Sequence, residues 1–122
     1  MPRVVHFEFA ADDPERAADF YRAALGWEVN NWGGPIPYWL ATTGPDSEPG
    51  INGAIAPRQP EWPSVVCTIG VADLTESVGR VLAAGGSVIE ARMPIPGIGY
   101  MAYCRDTEGN VIGLMQSDPT AH

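Results

Sequence analysis

The sequence predicts an α+β fold built from two consecutive copies of one strand, helix, strand, strand, strand plan, that is, two βαβββ modules. Three observations carry this. An alternating apolar stretch beginning at Val4 leads through a capped helix into a second strand; the same signals return sixty residues later, with Asp73 standing where Asp13 stood; and a set of short strands punctuated by proline and glycine follows each helix. Each copy by itself is too small to bury its apolar faces well, so the two are expected to pack as one domain over residues 1–122. Module one is expected at about 3–57, a linker at about 58–63 and module two at about 64–117.

In the first strand, Val5, Phe7 and Phe9 alternate with Val4, His6, Glu8 and Ala10. Successive strand side chains point to opposite faces, so the first set suits a core and the second does not. Asp13 then stands at an N-cap, with Pro14 at the first helical position and Glu15 in the first turn, where the helix dipole favours an anion. Ala17, Phe20, Tyr21, Ala24 and Leu25 recur at helical spacing, and Gly26 ends the helix where a left-handed residue costs least. Strands are expected over Trp27–Trp32, Tyr38–Thr43 and Ile51–Ala56. They are separated by a loop through Gly33-Gly34-Pro35-Ile36-Pro37 and a polar turn over 44–50.

The second copy begins at Val65–Val71, a β-branched run. Asp73 caps the next helix, with Glu76 at capping-box spacing, and Val78, Val81 and Leu82 form its apolar stripe. Gly85 and Gly86 end it, Gly86 matching Gly26. A strand over Val88–Ala91, a loop over Met93–Gly99, a strand over Tyr100–Arg105, a tight turn over Asp106–Asn110 and a strand over Val111–Gln116 complete the plan; Ser117–His122 is expected to fray. The two Pro-Ile-Pro stretches either form paired lips of one opening or are ordinary connections.

Composition excludes several function classes. A net charge of −8 with no basic patch argues against nucleic acid, whose phosphates demand a positive surface. All seven basic residues are arginines, and the lack of lysine removes Schiff-base chemistry and a P-loop together. No apolar run is long enough to span a bilayer, and Met1-Pro2-Arg3 leads directly into a strand, so a cytoplasmic address with no membrane partner is expected. Cys67 and Cys104 both fall in strands and are expected to be reduced, buried small hydrophobes. His6 and His122 are the only histidines, and no Gly-x-Ser-x-Gly elbow is present to make a serine nucleophile of the usual kind.

His6 seven residues before Asp13, the Phe20-Tyr21 and Leu25-Gly26 pairs, the sixty-residue echo and the run Asp106-Thr107-Glu108-Gly109-Asn110-Val111-Ile112-Gly113-Leu114 together resemble the vicinal oxygen chelate superfamily. This superfamily includes the glyoxalase, bleomycin-resistance and extradiol-dioxygenase relatives. The resemblance covers nearly the whole chain. It implies curved mixed sheets forming a cup around a ligand, and in the metal-using relatives four ligands from the first, fourth, fifth and eighth strands. His6 matches the first position. Val66 and Gly113 fall at the fifth- and eighth-strand positions, and the fourth-strand position falls among Asn52, Gly53 and Ala54. A catalytic divalent ion takes about three protein ligands, so no metal and no other cofactor is expected.

His6 and Glu8 share a strand face roughly 7 Å apart, a spacing that suits a hydrogen-bonding or acid–base pair toward a ligand, or merely a wet face. Trp32, Tyr38, Trp39, Tyr100 and Tyr103, with Asn52 on the glycine-bearing fourth strand, are the expected ligand-binding residues. Trp62, in the linker, is better suited to a homodimer interface. A purely structural or regulatory dimer with no ligand is one open reading, and two functions stay open beside it. One is a metal-independent protein that binds or sequesters an aromatic or apolar small molecule, as drug-sequestering relatives do. The other is a lyase, isomerase or dioxygenase-like enzyme that uses His6 and Glu8 as acid–base residues or as ligands of a weakly bound divalent metal.

Overall fold

The computed structural model describes residues 1–34 and 37–122; Pro35 and Ile36, part of the first expected proline loop, lie outside the described residues. Along the chain run β1 (Arg3–Ala11), α1 (Pro14–Leu25), β2 (Glu28–Asn31), β3 (Trp39–Thr42), β4 (Asn52–Pro57), β5 (Val65–Gly70), α2 (Leu74–Ala83), β6 (Ser87–Ile95), β7 (Gly99–Arg105) and β8 (Val111–Ser117). This is an α+β chain of two βαβββ modules. The chain divides into two compact units, one of His6–Val66 and one of Met1–Val5 with Cys67–His122. Among the described residues no helix is long and apolar enough to cross a membrane.

In the His6–Val66 unit the strands lie in the order β2-β3-β4-β1, with β1 parallel to β4 and the other pairs antiparallel. The α1 helix starts as expected. The Asp13 carboxylate accepts from the Arg16 N–H at 3.1 Å, and Pro14, having no N–H, occupies the first turn where none is needed. It ends at Gly26, whose φ of 71° lets its N–H reach the Arg22 carbonyl. The buried cluster is Phe7, Ala11, Ala18, Val29, Ala41 and Ile55, with Phe9, Tyr21, Trp27 and Trp39 packed against it. Trp27 stacks on Tyr21 with ring centroids 4.9 Å apart. The Phe7 ring lies so close on Gly53 that a Cβ there would sit 2.5 Å from three of its carbons. The glycine in β4 therefore admits a side chain of the chain's own core.

In the other unit the order is β5-β8-β7-β6, with β5 parallel to β8. Leu74, Ala102, Cys104 and Leu114 form its buried cluster. The first turn of α2 receives two caps: Asp73 accepts from the Glu76 N–H at 3.0 Å, and the Gln116 side-chain oxygen on β8 accepts from the Leu74 N–H at 2.8 Å. The Glu76 carboxylate turns forward to Arg80 at 2.6 Å, and Asp73 supplies the capping bond. At the C-terminus the left-handed residue is Gly85, with φ of 99°, and the Gly86 N–H reaches back to the Val81 carbonyl. The counterpart of Gly26 is thus Gly85 rather than Gly86, because this helix closes with the two-bond Schellman ending and uses one residue fewer.

Three further expectations are corrected here. β6 runs on to Ile95, through most of the stretch expected as a loop, with Met93 opposite Met101 and Pro94 opposite Tyr100. It is the outermost strand, where a missing N–H costs no ladder bond, and its two register shifts break the alternation that would have revealed it. Ser117–His122 is docked rather than frayed: Asp118 N–H donates to the Ile98 carbonyl, Gly97 N–H to the Ala121 carbonyl, and Ala121 is buried. Cys104 is buried, and burial pushes its thiol pKa up, but Cys67 is exposed. Alternation along β5 puts Val66 and Thr68 inside and Cys67 outside.

Candidate functional site

The site residues of the His6–Val66 unit follow from strand alternation across three neighbouring strands. His6 and Glu8 lie on the face of β1 opposite Phe7, which faces the helix. In register with them on β4 stand Asn52 and Ala54, and opposite Ala54 on β3 stands Leu40. Tyr38 immediately precedes β3 and keeps that strand's pairing, since its carbonyl accepts from the Trp32 N–H at 2.8 Å. Two residues before Leu40, its side chain falls on the same face, and its phenol spans β4 to reach β1.

There the phenol connects the two candidates named from the sequence. Tyr38 O–H donates to Glu8 Oε2 at 3.2 Å, and His6 Nε2 lies 3.0 Å from the same oxygen. His6 is half-buried, and desolvation lowers its pKa below the ordinary imidazole value, so the ring is held neutral at neutral pH. The pair expected to act together is therefore joined through Tyr38 as a chain of hydrogen bonds, His6 to Tyr38 to Glu8.

The remaining sequence-named residues divide. Trp32 meets the Tyr38 ring edge to face at 6.2 Å and is 37% exposed, so it extends the wall beside the chain of hydrogen bonds. Gly34 lies so close beneath that indole that a Cβ there would sit 2.2 Å from the ring. The Asn52 side-chain oxygen accepts from the Thr43 N–H at 2.9 Å and so serves the adjoining turn. Trp39 is on the other face, packed in the core under α1 with the Arg22 guanidinium 5.8 Å from its ring. In the second unit, Tyr100 packs on the cluster under α2 with Arg92 4.1 Å over its ring, and Tyr103 is on the opposite face of β7 beside Gly113. Leu40 was missed. It is 42% exposed on the His6 face, and only knowledge of which face of β3 is buried would have revealed it.

The donor set for a metal is sparse. Among the described residues no group of three His, Cys, Asp or Glu side chains is placed to hold an ion. Of the residues at the positions matched by resemblance, Val66 is apolar and buried, and Gly113 has no side chain. A Cβ at Gly113 would lie 2.7 Å from the Met101 methyl and 3.1 Å from Thr68 Oγ1. His6 presents one ring nitrogen to Tyr38.

Residues 6–115 match the family model described as a glyoxalase-like domain. No curated protein matches the chain. Among solved structures, a hypothetical protein from Bacillus halodurans C-125 aligns with a TM-score of 0.72 at 16% identity, covering 99% of this chain and 98% of that one. A methylmalonyl-CoA epimerase from Mycobacterium tuberculosis aligns with a TM-score of 0.71 at 19% identity, covering 95% of this chain and 88% of that one. A Streptomyces coelicolor methylmalonyl-CoA epimerase variant, solved with 2-nitronate-propionyl-CoA, aligns with a TM-score of 0.69 at 19% identity, covering 98% and 97%. At such identities the likeness is one of fold.

Proposed function

The chain belongs to the glyoxalase-like domain family and has the vicinal oxygen chelate fold, and from that premise we propose that it binds an aromatic or apolar small molecule on the His6 face of β1, without a resident metal. The observation that carries this reading is one sheet face that exposes Trp32 and Leu40 beside the His6, Tyr38 and Glu8 chain. Apolar walls with a few convergent polar groups are what small-molecule sites offer. The solved neighbours include proteins bound to CoA derivatives.

The test is calorimetric titration of wild type, His6→Ala and Trp32→Ala with a panel of naphthalene- and phenol-based compounds, and of wild type with nickel and zinc. Either substitution is expected to weaken binding about tenfold or more, in line with ~1.5–3 kcal/mol for a buried apolar side chain or a lost polar anchor. Nickel and zinc are expected to show no stoichiometric uptake. Unchanged affinity in both variants would remove the site from this face, and metal binding abolished by His6→Ala would replace the metal-free reading. We also propose a homodimer with Trp62 in its interface; a monomer mass at sedimentation equilibrium would reject that part.

The hydrogen-bonded chain supports a second reading, a lyase or isomerase in which His6 is a general base. It requires turnover or solvent-deuterium exchange on a bound ligand that His6→Ala abolishes; exchange that persists in the variant removes His6 from that role.

A further inference from the structure

The hydrogen bond between Tyr38 and Glu8 runs from the phenol O–H to Glu8 Oε2, and a phenol has one proton to give. The Tyr38 oxygen, having given its one proton to Glu8, has only lone pairs to offer His6 Nε2 at 3.0 Å. Two facing lone pairs would repel, so the ring nitrogen must carry the hydrogen. A neutral imidazole has one N–H, and the other nitrogen is then bare. Among the described residues His6 Nδ1 has no hydrogen-bond partner.

We infer that Tyr38, oriented by Glu8, is a positioning residue that holds His6 as the Nε2–H tautomer and leaves Nδ1 as the acceptor for a ligand's O–H or N–H. This rests on the reading of the His6 face as the ligand site, and it specifies the ligand further: an aromatic compound that carries a hydrogen-bond donor. A compound of the same shape lacking the donor leaves Nδ1 desolvated and unpaired, the situation in which discrimination is strongest.

Glu8→Gln is an informative variant, because it keeps the shape and adds a donor opposite the Tyr38 oxygen. The glutamine amide can donate to the Tyr38 oxygen, which frees the phenol proton for His6 Nε2 and moves the ring hydrogen to Nδ1. Removing the phenol with Tyr38→Phe does not force that reversal. The readout is the ring-nitrogen NMR spectrum of labelled protein above the His6 titration, with His122→Gln to separate the only other histidine. Wild type is expected to show a pyrrole-like Nε2 and a pyridine-like Nδ1, and Glu8→Gln a mixed or reversed pattern. A pyridine-like Nε2 in wild type overturns the inference whether or not Glu8→Gln folds.

Ligand preference provides an independent arm, with 2-naphthol and 2-methoxynaphthalene as probes. Wild type is expected to prefer the naphthol by about tenfold, one lost hydrogen bond at an acceptor the ligand covers, with the preference shrinking in Glu8→Gln. Equal affinities in wild type overturn the donor requirement. If neither compound binds, the aromatic-ligand reading fails, and the tautomer assignment is judged by the NMR spectrum alone.

Discussion

Phe7→Ala is expected to lower the unfolding free energy by about 3–5 kcal/mol, the range for emptying a buried aromatic site. The ring is 9% exposed, and its centroid lies 4.7 Å from that of Phe9 and 5.7 Å from that of Trp27. Its loss opens a cavity that backbone at Gly53 cannot fill. The same contact makes a second, coupled expectation. Gly53→Ala alone should cost about 1–3 kcal/mol, because its methyl would press on the Phe7 ring. In the double variant that methyl enters the space the ring has left, so the combined loss should be smaller than the two single losses added together. Urea denaturation of the three variants measures this, and strictly additive losses would mean that ring and glycine are not in contact. The effect bears on function, since Phe7 is flanked on β1 by His6 and Glu8 and anchors the backbone that presents both.

In the other unit the largest expected effect is at Leu74, where alanine should cost about 2–5 kcal/mol. This first residue of α2 is 1% exposed and is packed with Ala102, Cys104 and Leu114. Two of those neighbours are small, so little side chain is available to collapse into the hole. Leu82, on the same helix, is 54% exposed, and its alanine variant should stay within about 0.5 kcal/mol of wild type. Thermal or chemical denaturation of the pair decides. Comparable losses at both positions would show that α2 does not turn Leu74 inward.

Much of the fold is legible because its signals are local. Asp13 and Asp73 are caps in the structure as in the sequence, since an N-cap needs only a short side chain within three residues of the N–H it accepts from. Asp106 is equally local: it accepts from Asn110 and Glu108 inside one turn, chiefly through the Asn110 side chain, and those bonds hold its carboxyl below the usual range. The errors fall where a residue's meaning depends on a neighbour far along the chain. Pro94 reads as a loop until β6 is known to be an outer strand. Cys67 reads as buried until the inner face of β5 is fixed by Val66 and Thr68. The tail reads as frayed because nothing within it announces that Gly97 and Ile98 will hold it.

The candidate site shows the same division. By itself the sequence determined two βαβββ modules, placed His6 and Glu8 on one face of the first strand, and offered no lysine for Schiff-base or P-loop chemistry, because periodicity, capping and composition are properties of neighbouring residues and simple counts. Only the tertiary structure decided that Tyr38, some thirty residues away, joins His6 to Glu8, and that Trp39 is core while Leu40 is surface. The order in which β3, β4 and β1 lie side by side brings the phenol across, and the face α1 covers decides which side of β3 is buried. Both are consequences of long-range pairing that no local spacing encodes.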